Sequence, residues 1–233
     1  MFRYVTIQLV FLTMATAANA LTYDARTDFS TTQNPNGVWA YGWSADLTGP
    51  LHVYADFRTE NNGGYHWTDK SIEDSDAPHV SYYPLDVPWQ YVPPHSMLIH
   101  PGPLKQFSHC VWTAPEAGIY DIQASFTAVD FGGPHAYLLK NHAIIADYLL
   151  ATHKPENFSS KSVSLAAGDT IDVALGVGRS NTYYNDTTQF SLTIYKESIE
   201  QEAVKAKPSH QLQNGHLFNS LAPAPSRHLS LQQ

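Results

Sequence analysis

Nine consecutive residues, Tyr120-Asp121-Ile122-Gln123-Ala124-Ser125-Phe126-Thr127-Ala128, alternate apolar and polar side chains. Successive side chains of a strand point to opposite faces, so this pattern places one face in a core and the other in water. The same period recurs in Leu51 to Phe57, in Ile171, Val173, Leu175 and Val177, and in Phe190, Leu192 and Ile194. Tyr137-Leu138-Leu139 and Ala143-Ile144-Ile145 flank Lys140-Asn141-His142 and read as a hairpin. Val163 and Leu165 precede Ala166-Ala167-Gly168-Asp169, whose Gly-Asp pair supplies a turn before the next strand. No segment before Tyr195 carries a helical period. Many short strands without helical crossovers exclude a doubly wound α/β sheet and predict an all-β, antiparallel sandwich.

The ends of the chain break this pattern. Arg3, the uncharged run Val5 to Ala17 and the small-x-small triplet Ala18-Asn19-Ala20 form the three parts of a secretory signal peptide. Residues 1–20 are expected to be removed, so that the mature chain begins at Leu21 in a secreted, periplasmic or cell-surface location. No second apolar run of spanning length follows, and no integral membrane span is expected in the mature chain. The sandwich domain is placed at 21–196. Glu197 to Lys207 is expected to form a short helix, and Pro208 to Gln233, rich in Ser, Gln, Pro and His, a disordered tail.

Composition narrows the partners. Charged residues make up only 15% of the chain and aromatic residues 12%, a balance that suits strands. The net charge of −8 excludes nucleic acid and anionic membrane surfaces, which select Lys and Arg. Cys110 is the single cysteine, so the chain is free of intrachain disulfides. Its neighbours His109, Val111 and Trp112 mark it as a small buried hydrophobe rather than a reactive thiol.

Several segments occur in a recognisable order. They are Asp28-Phe29-Ser30, Gln33-Asn34-Pro35-Asn36-Gly37-Val38-Trp39-Ala40-Tyr41-Gly42, and His100-Pro101-Gly102-Pro103. Val111-Trp112-Thr113-Ala114-Pro115-Glu116-Ala117-Gly118-Ile119-Tyr120 follows, then Leu165 to Asp172 and Tyr184-Asn185-Asp186-Thr187-Thr188. Together they resemble a group of exported bacterial β-sandwich proteins, many of which carry a C-terminal PEP-CTERM sorting signal. The resemblance implies a jelly roll similar to carbohydrate-binding modules and implies no established activity. The C-terminus departs from that group, lacking a Pro-Glu-Pro element with a following apolar helix and basic end, so membrane sorting by that route is not expected.

Two segments combine aromatic rings with amides, the pairing a sugar site needs: the ring face stacks on C–H bonds while the amides bind hydroxyls. One is Asn61, Asn62, Tyr65 and Trp67; the other is Asn181, Tyr183, Tyr184, Asn185 and Asp186. Trp39 and Trp112 lie in strand-like text and read as core. None of the twelve histidines falls in His-x-x-x-His or His-Glu-x-x-His spacing, so no local zinc motif exists. Asp24, Asp28 and Asp186 are the candidate ligands for a structural calcium; no other cofactor is expected. Glu60, Asp69, Glu73, Asp74 and Asp76 read as a solvated acidic loop, and no Gly-x-Ser-x-Gly elbow is present, so no catalytic residue is assigned. The leading expectation is a non-catalytic glycan-binding module. Its rivals are a structural or adhesive surface protein without a sugar ligand, and a small glycan hydrolase or lyase.

Overall fold

Alternating sequence becomes alternating burial along Tyr120 to Ala128 and along Phe190 to Ile194. A computed structural model describes residues 21–72, 74 and 77–198; the expected signal peptide, most of the short helix and the tail lie outside the described residues. Fourteen strands form among the described residues. In chain order they begin with β1 (Thr22–Asp24), β2 (Trp39–Ser44), β3 (His52–Val53), β4 (Asp56–Thr59) and β5 (Tyr65–Thr68). Then come β6 (His79–Tyr83), β7 (Ser96–His100), β8 (Phe107–Thr113), β9 (Gly118–Ala128) and β10 (His135–Lys140). The last are β11 (Ala143–Leu149), β12 (Glu156–Leu165), β13 (Thr170–Gly176) and β14 (Thr188–Lys196).

The larger sheet has eight strands in the order β12-β9-β14-β7-β6-β5-β4, with β1 also paired to β14; the smaller has six in the order β11-β10-β13-β8-β2-β3. Every strand pair is antiparallel. From β7 to β14 the chain changes sheet at nearly every connection, the winding of a jelly roll. Among the described residues no helix is long and apolar enough to cross a membrane.

The core lies between the sheets. Tyr120, Ile122, Ala124, Phe126 and Ala128 of β9 meet Trp39 and Tyr41 of β2, Cys110 and Trp112 of β8, and Ile171, Val173 and Leu175 of β13. Trp39 and Trp112 are core residues, as the sequence suggests. Burial pushes the Cys110 thiol well above its ordinary range, and the charge of Asp172 adds to the shift. Asn34 pins the entry to the fold: its side-chain amide donates to the carbonyls of Tyr41 at 2.8 Å and Tyr54 at 2.9 Å, and its oxygen accepts the Tyr41 N–H.

Two expectations are corrected. Leu51 to Phe57 is not one strand: β3 belongs to the smaller sheet and β4 to the larger, and the chain crosses between them at the fully buried Tyr54. The stretch from Asp69 to Pro94, whose prolines and many polar residues predict a long loop, is not all loop, because it contains β6. That strand shows no alternation of burial, since loops cover its outer face while the core covers the inner one.

Candidate functional site

Strand parity decides which side chains leave the core on β5, β6 and β7. Trp67, Val80 and Ile99 stand in register and point into the sandwich. Their neighbours therefore point outward. His79 pairs with His100, Thr68 pairs with His79, and His66 lies one pleat further along β5. The result is a row of imidazoles on the outer face, with ring centroids 4.4 Å apart for His66 and His79 and 5.5 Å apart for His79 and His100.

Loops wall in this row. Glu60 and Asn62 stand in the β4–β5 turn, where the Gly63 N–H bonds back to Glu60 and the Asn62 side chain accepts the Gly64 N–H at 2.8 Å. The segment after β6 supplies Trp89. Reciprocal backbone bonds between Trp89 and Val92 close a tight turn, and Val92 plugs a small apolar cluster with Tyr83, Leu98 and Val129. That anchor leaves the indole of Trp89 41% exposed. Glu60, Asn62, His66, His79, Trp89, His100 and Thr187 line a cavity of about 180 Å³, which continues into an open depression of about 390 Å³ bounded by Glu60, Asn61, Asn62 and Trp89.

The cleft is polar but electrically quiet. Glu60 is ion-paired with Arg58 and lies 3.9 Å from His66 Nδ1. Burial, aided by the nearby Arg58 and His100, pushes the His66 imidazole down to about 3, so the ring is neutral at ordinary pH. His66 Nδ1 and, on the same face, Ser81 Oγ are buried without a hydrogen-bond partner. His100 donates through Nδ1 to the Pro101 carbonyl at 2.8 Å. Glycoside hydrolysis needs two facing carboxyl groups. Among the described residues Glu60 is the one carboxylate lining the cleft, and Arg58 engages it. The arrangement suits hydrogen bonding to hydroxyls beside an aromatic ring.

The two segments singled out in the sequence border the two ends of the histidine row. Asn61 and Asn62 edge the cleft at the His66 end. At the other end the Tyr183 ring meets His100 edge-on at 6.1 Å, and its hydroxyl donates to Asp74 at 2.6 Å. Tyr183 is buried, whereas Tyr184, packed against it at 4.3 Å, is 57% exposed. Asn181 and Asn185 are exposed, and Asn181 accepts a hydrogen bond from Lys105.

Other members of the expected set face elsewhere. Tyr65 and Trp67 are on the inward parity of β5; Trp67 is buried on Phe57 and donates its Nε1–H to the Ser30 carbonyl at 2.7 Å. Neither can offer a free face to the cleft. Trp89, His66, His79 and His100 take that place. A histidine directly beside a core residue on successive strands was the available signal. Nor do the three calcium candidates meet. Asp24 and Asp28 share a turn and engage its backbone, Asp24 capping Arg26 and Thr27 and Asp28 accepting from Asp24 and Trp39. Asp24 lies opposite Thr193, whereas Asp186 precedes the start of β14 at Thr188. Among the described residues no group of three or more His, Cys, Asp or Glu could hold a metal ion.

A second polar cluster occupies the outer face of the smaller sheet. Ser44 of β2, His109 of β8 and Asp172 of β13 meet across diagonal cross-strand positions. Ser44 Oγ lies 2.7 Å from His109 Nε2, and His109 Nδ1 lies 2.8 Å from Asp172 Oδ2. The composition is that of a hydrolase triad, but the proton runs the other way. Ser44 Oγ is also 2.6 Å from the Asp46 carbonyl, which can only accept, so the hydroxyl donates there and accepts from His109. Ser44 is fully buried. A neighbouring cavity of about 180 Å³ is lined by His109 and Asp172 but not by Ser44. The trio clamps three strands and the loop after β2.

No protein-family model and no curated protein matches the chain. Solved structures do. TmCBM61, in complex with β-1,4-galactotriose, is 12% identical with a TM-score of 0.33, covering 68% of this chain and 88% of that one. The C-terminal CBM6 of LamC, a marine laminarinase from Zobellia galactanivorans, is 10% identical with a TM-score of 0.29, covering 76% and 100%. A family 35 carbohydrate-binding module from Clostridium thermocellum is 14% identical with a TM-score of 0.31, covering 48% and 85%.

Proposed function

We propose that this protein is an exported module that binds glycans, without cleaving them, in the cleft over β5, β6 and β7. The observation that carries the reading is the convergence of Glu60, Asn62, His66, His79 and His100 beside the exposed indole of Trp89. A sugar ring offers hydroxyls to such polar groups and a C–H face to such a ring. Its orientation is then fixed by a few placed polar groups, as in small-molecule sites generally. Export rests on the three-part N-terminus, and the mature chain recovered outside the cell should begin at Leu21.

The test is retention on a panel of polysaccharides and a glycan array, with Trp89→Ala and Asn62→Ala beside the wild type. Binding that weakens in both variants supports the cleft. Binding unchanged in both, or none to any glycan, rejects it.

One observation favours the adhesive alternative. The edge strand β11 exposes Ile144 (51%), Ile145 (39%) and Leu149 (40%) next to its unpaired backbone. That reading requires self-association measurable by light scattering and abolished by Ile144→Lys.

A further inference from the structure

The segment that ends at β14 holds a carboxylate the cleft does not use. Asp186 has no exposed surface, and neither of its carboxylate oxygens has a hydrogen-bond partner. An ionised carboxylate in that position lacks both water and donors, an arrangement that costs several kcal/mol unless a positive charge approaches it.

The surroundings supply oxygen and little else. A Cβ built on Gly132 would fall 2.1 Å from Asp186 Oδ1 and 2.7 Å from the carbonyl oxygens of both Asn185 and Tyr184. The three oxygens therefore converge on one spot against the side-chain-free face of Gly132. Asn185 adopts a left-handed backbone (φ 59), and its carbonyl accepts the Gly132 N–H at 2.7 Å, locking the β9–β10 loop to the β13–β14 loop. Asp130 is close enough that, after burial, its charge is the second cause holding the Asp186 carboxyl up at about 7. A carboxylate and two main-chain carbonyls are hard oxygen donors in an irregular loop, a set that suits Ca²⁺ better than the thiolate- and imidazole-seeking transition metals.

We propose that Asp186, with the main-chain carbonyls of Tyr184 and Asn185, holds a Ca²⁺ ion that ties the β13–β14 loop to the β9–β10 loop. The site keeps one of the three aspartates suggested by the sequence and replaces the other two. It stands independently of glycan binding, although it would order the segment that carries the exposed Tyr184 ring.

Thermal unfolding of the full chain at pH 8 in EDTA, CaCl₂ or MgCl₂ tests the proposal, with Tb³⁺ luminescence excited through tyrosine as a direct reading of occupancy. Calcium at about a hundred times its Kd should raise Tm by roughly 5 °C or more, and Mg²⁺ by less. Asp186→Asn removes the buried charge while keeping the shape. It should lose the calcium shift and the Tb³⁺ signal, and its Tm in EDTA should equal or exceed that of the wild type. Asp130→Asn removes a nearby negative charge, so it should bind calcium more weakly, and it serves if the first variant does not fold. An empty site is the opposing outcome: no calcium shift and no Tb³⁺ signal. That result overturns the proposal whether or not glycans bind.

Discussion

The outer faces of the two sheets carry polar clusters that look alike in composition and differ in what their atoms still need. On the smaller sheet both ring nitrogens of His109 have partners, and the Ser44 hydroxyl is held between His109 and the Asp46 carbonyl. On the larger sheet His66 lines a cavity with its Nδ1 unengaged by any hydrogen bond, and Asn62 and the exposed Trp89 share that cavity. A residue set known for chemistry is here a brace, because its hydroxyl is fully buried and engaged both as donor and as acceptor, although Asp172 Oδ1 is left without a partner. An unremarkable row of histidines is the better site, because bonding capacity and access coincide there. Each cluster has an unpartnered atom beside a cavity, so it is the neighbouring Asn62 amide and exposed Trp89 indole of the larger sheet, rather than residue identity, that separate the two.

The contrast breaks most easily at the brace. His109→Ala leaves Asp172 buried without its partner and strips Ser44 of a donor. Loss of one member of a buried, charge-bearing pair costs about 3 to 5 kcal/mol, and at roughly 2 to 4 °C per kcal/mol for a domain of this size Tm should fall by about 6 °C or more. Glycan retention by the folded fraction should stay unchanged. A loss of retention without a loss of stability would move the functional site to the smaller sheet.

Trp89→Ala makes the converse test. Its ring contributes to no core, so stability should move by less than about 0.5 kcal/mol. Retention should weaken about tenfold, the effect of losing roughly 1.4 kcal/mol from an aromatic anchor. Ser44→Ala follows at about 1 kcal/mol of stability, the net worth of a neutral hydrogen bond with some cost for the donor left behind. A variant stable to denaturant but stripped of hydrolytic activity on an ester panel would instead expose a working nucleophile.

How much of this was legible in the chain depended on whether apolar and polar residues alternate along each strand. β9, β13 and β14 announce themselves by period two and the β10–β11 hairpin by the short turn between its apolar runs, and all form where the sequence points. β6 and β7 do not, since both of their faces are covered and their residues are almost all buried. Of the aromatic-plus-amide segments, Asn61 and Asn62 line the cleft and Tyr183 packs against His100 beside it, because polar loops with rings stand at the ends of a sandwich. They misplaced the rings themselves. Tyr65 and Trp67 flank His66, so a difference of one residue in parity decides which of them faces the cleft. His79, His100, Ser44, His109 and Asp172 meet only through pairing between distant strands, and no local spacing encodes such meetings.

The smallest effect comes from protonation of the cleft itself. The His66 imidazole titrates near 3 in the folded protein against 6.5 as its ordinary value. Below 6.5 the unfolded chain takes up a proton that the folded chain refuses, so stability is full above that pH and falls as pH drops toward 3. Between pH 7 and pH 6 the loss amounts to under about 1 kcal/mol. His66→Gln cannot take up that proton in either state, so the denaturation midpoint of the variant should change less over this interval than that of the wild type. Because both proteins retain the other histidines, the difference between their curves isolates His66. Parallel curves would mean that the ring is solvated and charged in the fold, and the cleft would then present a cation rather than a neutral donor and acceptor to whatever enters it.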